Sequence, residues 1–355
     1  MNSYAGIDLH KDYSYITVVD REGVRLAQGK IDNQPENLQL FFNKLANPKA
    51  VIEATFAWGW LSDLLTSQGV EVVLAHPVKV KAIASARIKT DKIDSEVLAD
   101  LLRADLIPTA YLATKQERER RDLLRLRCSL VNTKSSLKRR VHAVLHKHNL
   151  RPPKNKQDKE LSDLFGKAGR HWLEQIITER QQAIDEYTSL ELTEYLGTID
   201  HLTERVERIN QVIKKVAGEN PTAIFLERLP GIGYFSALTL AVELGDINRF
   251  YSAGAICSYA GLTASTYQSG HTTRHGRIKH GNKYVRWILI EAVPKAIKKD
   301  KVLFSFYQRL KAKKGSPKAK VAAARKMLAQ IYHSLKNQRY FLTDQGSPGF
   351  FSGNS

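Results

Sequence analysis

The spacing of apolar residues changes twice along the chain, and each change marks a different kind of architecture. In residues 1–114, short apolar runs alternate with amphipathic ones. Residues 4–20 read as strand, rich in β-branched and aromatic side chains at Tyr15-Ile16-Thr17-Val18-Val19. Gly23 marks a turn and 24–31 returns as a second strand. The pattern then predicts a helix over 35–45, a short buried strand over 50–54 that carries Glu53, and a helix over 58–67. A strand over 70–75 and a helix over 89–104 with Thr90 as its N-cap complete this stretch. Strands and helices in this order predict a mixed α/β sheet.

Beyond residue 114 the period becomes helical. Leu123, Leu130, Leu137 and Val144 recur every seven residues, and Pro152-Pro153 ends that helix. A second long helix is predicted over 171–217. There Leu192, Ile199, Val206 and Ile213 form one heptad position, and Tyr195, Leu202, Ile209 and Val216 form another. A seam held over four heptads predicts a coiled coil, with pairing between chains slightly favoured over pairing within one. Residues 221–343 read as a separate helical domain. It contains the tight turn Leu229-Pro230-Gly231-Ile232-Gly233 before an apolar helix over 235–244, a basic loop over 271–283, and helices near 284–299 and 317–336. A turn of that form presents backbone N–H groups at a helix N-terminus, which suits a phosphate at Gly231 and Gly233; an ordinary helix–helix turn is the plainer alternative. Residues 344–355 read as disordered. The expected domains are therefore 1–114, 115–220 and 221–343, followed by a tail.

Charge sharpens this picture. The 355 residues include 55 Lys plus Arg against 36 Asp plus Glu, a formal charge of +19. The excess gathers in 115–159 and 271–325, which favours a polyanionic partner. Arg125, Lys134, Lys138, Arg139 and Arg140 are the candidate phosphate contacts on the first long helix. No apolar run is long enough to span a membrane. The N-terminus lacks the features of a secretory signal, and two distant cysteines, Cys128 and Cys257, argue against a disulfide framework. The expected location is the cytoplasm.

The candidate chemistry lies in the acids. Asp8 closes the first apolar segment, Glu53 ends a later strand, and Asp91 and Asp94 share a face at the start of a helix. Each acid alone is more often a turn cap or a surface residue. Together, in an α/β domain of a basic protein, they fit hard divalent cations, Mg²⁺ or Mn²⁺, and metal-dependent phosphodiester chemistry.

These motifs carry a resemblance. Gly6-Ile7-Asp8-Leu9-His10-Lys11, Glu53 after Val51-Ile52, and Thr90-Asp91-Lys92-Ile93-Asp94 resemble the DEDD insertion-sequence transposases. These are the bridge-RNA-guided recombinases, to which the pilin-gene invertase is related. The C-terminal motifs Leu229-Pro230-Gly231-Ile232-Gly233, Tyr259-Ala260-Gly261-Leu262, Ser269-Gly270 and Gly281-Asn282-Lys283-Tyr284-Val285-Arg286 are similar to that family's transposase domain. The resemblance covers roughly 4–343. It implies an RNase H-like (RuvC-like) fold for 1–114, and a C-terminal all-α transposase domain with a helix-hairpin-helix-like turn. It further implies that Asp8, Glu53, Asp91 and Asp94 are metal ligands, that Ser269 is a nucleophile, and that a structured guide RNA is a partner.

Ser265 is a nearby alternative to Ser269, and the proline usual near position 264 in that loop is Ala264 here. Around Ser269 lie His271, Arg274, His275, Arg277, Lys279, His280 and Lys283; the basic side chains read as phosphate contacts. The three histidines match no common zinc spacing and have no cysteine to help them. No G-x-x-x-x-G-K-[ST] phosphate loop occurs, consistent with a phosphoserine–DNA ester that conserves bond energy. The expected protein is thus a transposase working on DNA as a dimer or tetramer. A site-specific invertase, a RuvC-like junction nuclease and a non-catalytic architectural DNA-binding protein are the alternatives.

Overall fold

The computed structural model describes residues 2–84, 90–152, 161, 163–178, 184–269, 272–276, 278, 280–339, 341–342 and 348–349. The chain forms two compact units, Met1–Arg118 and Glu119–Ser355.

The first unit is built on a five-stranded sheet in the order β3-β2-β1-β4-β5. The strands are β1 (Ser3–Leu9), β2 (Tyr13–Val19), β3 (Arg25–Asp32), β4 (Pro48–Glu53) and β5 (Glu71–Ala75). Between and after them lie α1 (Pro35–Phe42), α2 (Trp58–Ser67), α3 (Pro77–Ile83) and α4 (Asp91–Arg103). The stretch 4–20 is therefore a hairpin of two strands rather than one, with β1 antiparallel to β2 and β2 antiparallel to β3. β1 runs parallel to β4, and β4 parallel to β5. This mixed topology is consistent with the expected RNase H-like fold.

Alternation along β1 sorts its side chains between two faces. Ala5, Ile7 and Leu9 point into the larger core with Leu38, Phe42, Leu61 and Leu65 of α1 and α2. Gly6 and Asp8 lie on the opposite face, which α4 covers. On that face Val51 of β4 packs with Leu98 and Leu102 of α4. Gly6 is what lets the helix come so close. A Cβ there would collide with the Ser95 carbonyl oxygen and the Ala99 nitrogen. A buried hydrogen bond between Thr17 Oγ1 and Ser95 Oγ, 2.7 Å long, fixes the helix in register.

In the second unit the dominant elements are α5 (Lys115–Lys147, which begins just before the division) and α7 (Glu186–Gly218). The helix expected over 171–217 is in fact two: α6 (Lys167–Thr178) precedes α7. Asp185 opens α7 as an N-cap in extended conformation, its carboxylate accepting from the Thr188 N–H and hydroxyl.

Three contacts set the direction of the long pair. Arg127 donates to Asn210, Lys134 to Thr203, and His148 lies 3.2 Å from the Thr188 hydroxyl. Rising numbers in α5 meet falling numbers in α7, so the helices are antiparallel. The apolar stripe of α7 is buried within its own chain. Leu192, Leu196 and Ile199 pack with Val141, Val144, Leu145 and Leu173, while Ile213 and Ala217 join the C-terminal core. The seam residues Leu192, Ile199, Val206 and Ile213 are thus buried within one chain, and a coiled coil between chains is not shown.

The C-terminal core is formed by α8 (Pro221–Glu227), α9 (Tyr234–Leu244), α10 (Ala253–Tyr259), α11 (Lys283–Ala296), α12 (Lys301–Lys314) and α13 (Ser316–Asn337). The basic loop is not wholly irregular, since β6 (Thr266–Ser269) and β7 (Thr272–His275) pair as a hairpin. A two-residue pair, β8 (Phe341–Leu342) and β9 (Pro348–Gly349), follows. The rest of the tail over 344–355 lies outside the described residues. Both cysteines are free thiols. Among the described residues no helix is long and apolar enough to cross a membrane.

Candidate metal centre and nucleic-acid interface

The face of β1 that accommodates α4 also carries Asp8. Because α4 lies against Gly6, its first turn, with Asp91 and Asp94, reaches the end of that strand. Thr90 caps the turn, its hydroxyl accepting from the Ile93 N–H at 3.3 Å. Glu53 stands on the same face of the neighbouring strand, two residues beyond Val51. The β1–β4 register pairs Ile7 with Ile52, so Asp8 and Glu53 are the next residues along. A strand and a helix thus bring Asp8 and Asp91 together at one end of the sheet, while Glu53 and Asp94 are not among the ligand atoms grouped there with His10.

His10 continues the alternation of Gly6 and Asp8 just past the strand. Its Nε2 lies 3.2 Å from Asp8 Oδ2 and 3.3 Å from Asp91 Oδ2. The Tyr13 hydroxyl donates to Asp91 Oδ2 at 2.9 Å. Its ring stacks on His10 with centroids 4.7 Å apart, and Lys30 Nζ sits 3.9 Å from the Tyr13 ring centre. Burial pushes the Asp8 carboxyl above its ordinary range. The His10 charge and hydrogen bond oppose this shift, whereas the Asp91 and Asp94 charges add to it. The hydrogen bond to Asp91 raises the Tyr13 phenol, keeping it a donor.

One ligand atom from each of Asp8, His10 and Asp91 lies within 4.8 Å of the others. Opposite ligands on a Mg²⁺-sized ion stand about 4.2 Å apart, so the set fits one small divalent cation. Oxygen donors suit Mg²⁺, and the added imidazole suits Mn²⁺ as well.

The basic candidates on α5 divide into two groups. Arg139 and Arg140 are exposed. Lys134 and Lys138 are half-buried against neighbours, and Arg125, though exposed, is held in an ion pair. Arg125 pairs with buried Glu243 at 3.0 Å, Lys134 donates to Thr203, and Lys138 sits 4.4 Å from the Phe165 ring centre. Desolvation lowers the Lys134 ammonium. In the turn between α8 and α9, Gly231 has a φ of 82°, and a Cβ there would meet the Ala292 carbonyl at 2.7 Å. Gly233 is the N-cap of α9.

Ser269 ends β6 opposite Thr272, where the hairpin turns; its side chain, Gly270 and His271 lie outside the described set. Arg274 is exposed on β7 and pairs across the hairpin with Tyr267. Arg277 and Lys279 lie outside the described residues, as does the His275 side chain. Lys283 is exposed at the first turn of α11. Ser265, the alternative serine, precedes β6, and its carbonyl accepts from the Gly276 N–H at 2.7 Å.

Residues 5–150 match a transposase model of the IS110 DEDD type, and residues 223–308 match the transposase IS116/IS110/IS902 family. The chain belongs to this family of transposases. A protein of Sinorhizobium fredii that carries a transposase name is 28% identical over 234 residues, 65% of this chain and 54% of its own length. The transposase for insertion sequence element IS1328 of Yersinia enterocolitica is 23% identical, with 81% of each chain covered. A pilin gene-inverting protein of Moraxella lacunata is 27% identical over 82% of this chain and 81% of its own.

Asp8, Glu53, Asp91 and Asp94 fall within the first family match, and Ser269 within the second. Sequence reading passed over His10 and Tyr13. The signal for His10 was available, since it is two residues beyond Asp8 and continues the same face. No signal existed for Glu243. It is 4% exposed and receives Arg125 and, at 2.8 Å, the Asn282 amide, groups far apart in sequence.

Proposed function

We propose that this family member is the transposase of an insertion sequence, cutting and rejoining DNA by metal-dependent phosphoryl transfer. The observation that carries the reading is the meeting of Asp8 and Asp91 around His10 Nε2, inside the stretch matched by the DEDD family. Asp8, Glu53, Asp91 and Asp94 are the proposed ligands, with His10 an added donor between Asp8 and Asp91 and Tyr13 holding Asp91 in place. Mg²⁺ or Mn²⁺, when bound, supplies positive charge to the phosphate oxygens.

Ser269 is the proposed nucleophile, on the strength of its position in the family motif. Its Oγ forms a bond to phosphorus, the bond from phosphorus to the departing strand oxygen breaks, the serine proton leaves to solvent, and the departing oxygen takes one up. Attack by a DNA hydroxyl on the phosphoserine reverses these changes and rejoins the strand without ATP. Arg274, Arg277, Lys279 and Lys283, with Gly231 and Gly233, are proposed to hold the backbone phosphates. A structured guide RNA is a proposed partner on the family resemblance alone, and a dimer or tetramer is proposed because joining two duplexes requires several coordinated sites.

The test traps the intermediate on a nicked suicide substrate carrying element ends. An adduct that maps to the peptide containing Ser269, and is absent in Ser269→Ala, supports the assignment. An adduct at Ser265 moves the nucleophile by four residues, and cleavage with no adduct identifies a water-using junction nuclease. A second reading, site-specific inversion, is favoured by the extent of the match to the Moraxella inverting protein. Recombination products that keep the segment and reverse its orientation would select it.

A further inference from the structure

Between α5 and α11 the second unit holds an open groove of about 550 Å³, within the roughly 300–1,000 Å³ typical of ligand sites. Its two walls carry complementary chemistry. From α11 come Lys283 and Trp287, one turn apart at i and i+4, with Tyr284 three residues before Trp287. From α5 come Arg125, Cys128 and Asn132. Trp287 is 44% exposed, unusual for so large an apolar side chain. The edge-on contact with Phe235, centroids 6.3 Å apart, supports its ring.

The groove is pre-formed. Glu243 ties its walls together, accepting from Arg125 of α5 at 3.0 Å and from Asn282, the cap of α11, at 2.8 Å. Arg125 stands 5.2 Å, and Lys283 5.3 Å, from the centre of the Tyr284 ring. Arg125 gives one N–H to Glu243 while its side chain remains 43% exposed, and a guanidinium carries five donors.

We infer that this groove seats one unpaired nucleotide, with its base stacked on Trp287 and its phosphate held by Arg125 and Lys283. A flat aromatic surface flanked by two cations and an amide matches the aromatic base, anionic phosphate and polar edge of a nucleotide. Neither face of a base within a duplex is free to stack on Trp287, because its neighbours occupy both. The occupant is therefore single-stranded, either an unpaired position of an RNA or a displaced DNA strand. The inference rests on the proposed action on nucleic acid, and it adds a position where a strand is held outside the duplex.

The test uses the full-length protein with oligonucleotides carrying a single 5-iodouracil, in three forms: single-stranded RNA, single-stranded DNA of the same sequence, and duplex DNA. Irradiation should crosslink the single-stranded probes to the peptide containing Tyr284 and Trp287, and the stronger arm identifies the strand type. Trp287→Ala should weaken binding of that probe by about 5- to 150-fold, the range for losing one stacked base, and leave duplex affinity unchanged. Trp287→Phe should restore most of the loss, and a matching thermal melt shows that the fold survives. Lys283→Glu should weaken the same probe without touching the ring. Equal affinity of Trp287→Ala and wild type for both single strands, or crosslinks confined to other peptides, would overturn the inference. Asp8-dependent cleavage of duplex DNA in that same preparation would show that the proposed function stands without it.

Discussion

The backbone of Ser95 occupies the space that a side chain on Gly6 would need. This contact sets α4 directly on β1 and so places Asp91 beside Asp8. Gly6→Ala should force the helix away, costing about 1–3 kcal/mol of stability as an overpacked core does. It should also weaken Mg²⁺ binding, although it touches no ligand. Thermal melts with and without Mg²⁺ check this, and an unchanged metal-induced shift would detach the helix position from the site.

His10 bridges Asp8 and Asp91 through one nitrogen. Removing a group that ligates or orients ligands typically costs about 10- to 100-fold in metal affinity. His10→Ala should show that loss for Mn²⁺ in direct titration, and a larger loss for Mn²⁺ than for Mg²⁺ if the nitrogen itself coordinates. Equal affinities in the variant and wild type would reduce His10 to a bystander.

Among the basic residues of α5, exposure should decide the salt response. Arg139→Glu with Arg140→Glu should flatten the slope of log K against log salt by about 2, since each phosphate contact contributes about 0.9. Lys134→Ala should change the slope little, because its ammonium is turned toward Thr203. The reverse ranking would mean that α5 presents a different face to the nucleic acid.

Leu202 is buried in its own chain, and Ile209 packs against the C-terminal core. Leu202→Lys with Ile209→Lys should therefore destabilise the fold by roughly 3 kcal/mol or more. Denaturant unfolding monitored beside light scattering checks this. A variant of normal stability but lower mass would restore an intermolecular seam.

Asp185, the cap of α7, has its carboxyl lowered from 3.8 to about 2 by the Thr188 N–H and hydroxyl. A depressed folded value means the charged cap contributes stability above the ordinary aspartate range and loses it as pH falls toward 2. Asp185→Ala should be less stable than wild type at neutral pH, with the difference closing in acid. A difference independent of pH would contradict the ionised cap.

Most of the sheet was legible because its apolar runs are short and strongly β-branched, as at Tyr15–Val19. The pairing of Asp8 with Asp91 was legible from their places at a strand end and a helix start together with the family motifs, since an isolated Asp8 looks like any turn acid. The α6–α7 break was hidden because Thr178-Glu179-Arg180-Gln181-Gln182 suit an exposed helix turn and hold no Gly or Pro; the signal lay in Asp185 as a cap. The seam at 192–213 showed its period but not its partner, because periodicity identifies a buried face and not the chain that buries it. Glu243 was invisible for a similar reason: its meaning depends on Arg125 and Asn282, which only tertiary folding brings to it.

The carboxylates at the end of β1 are proposed to support strand cleavage. Wild-type protein and Asp8→Ala should be compared on DNA carrying element ends, with Mg²⁺ and with chelator, after confirming equal folding and DNA affinity. The account predicts cleavage by wild type only when Mg²⁺ is present, and none by Asp8→Ala. Undiminished Mg²⁺-dependent cleavage by Asp8→Ala would contradict it.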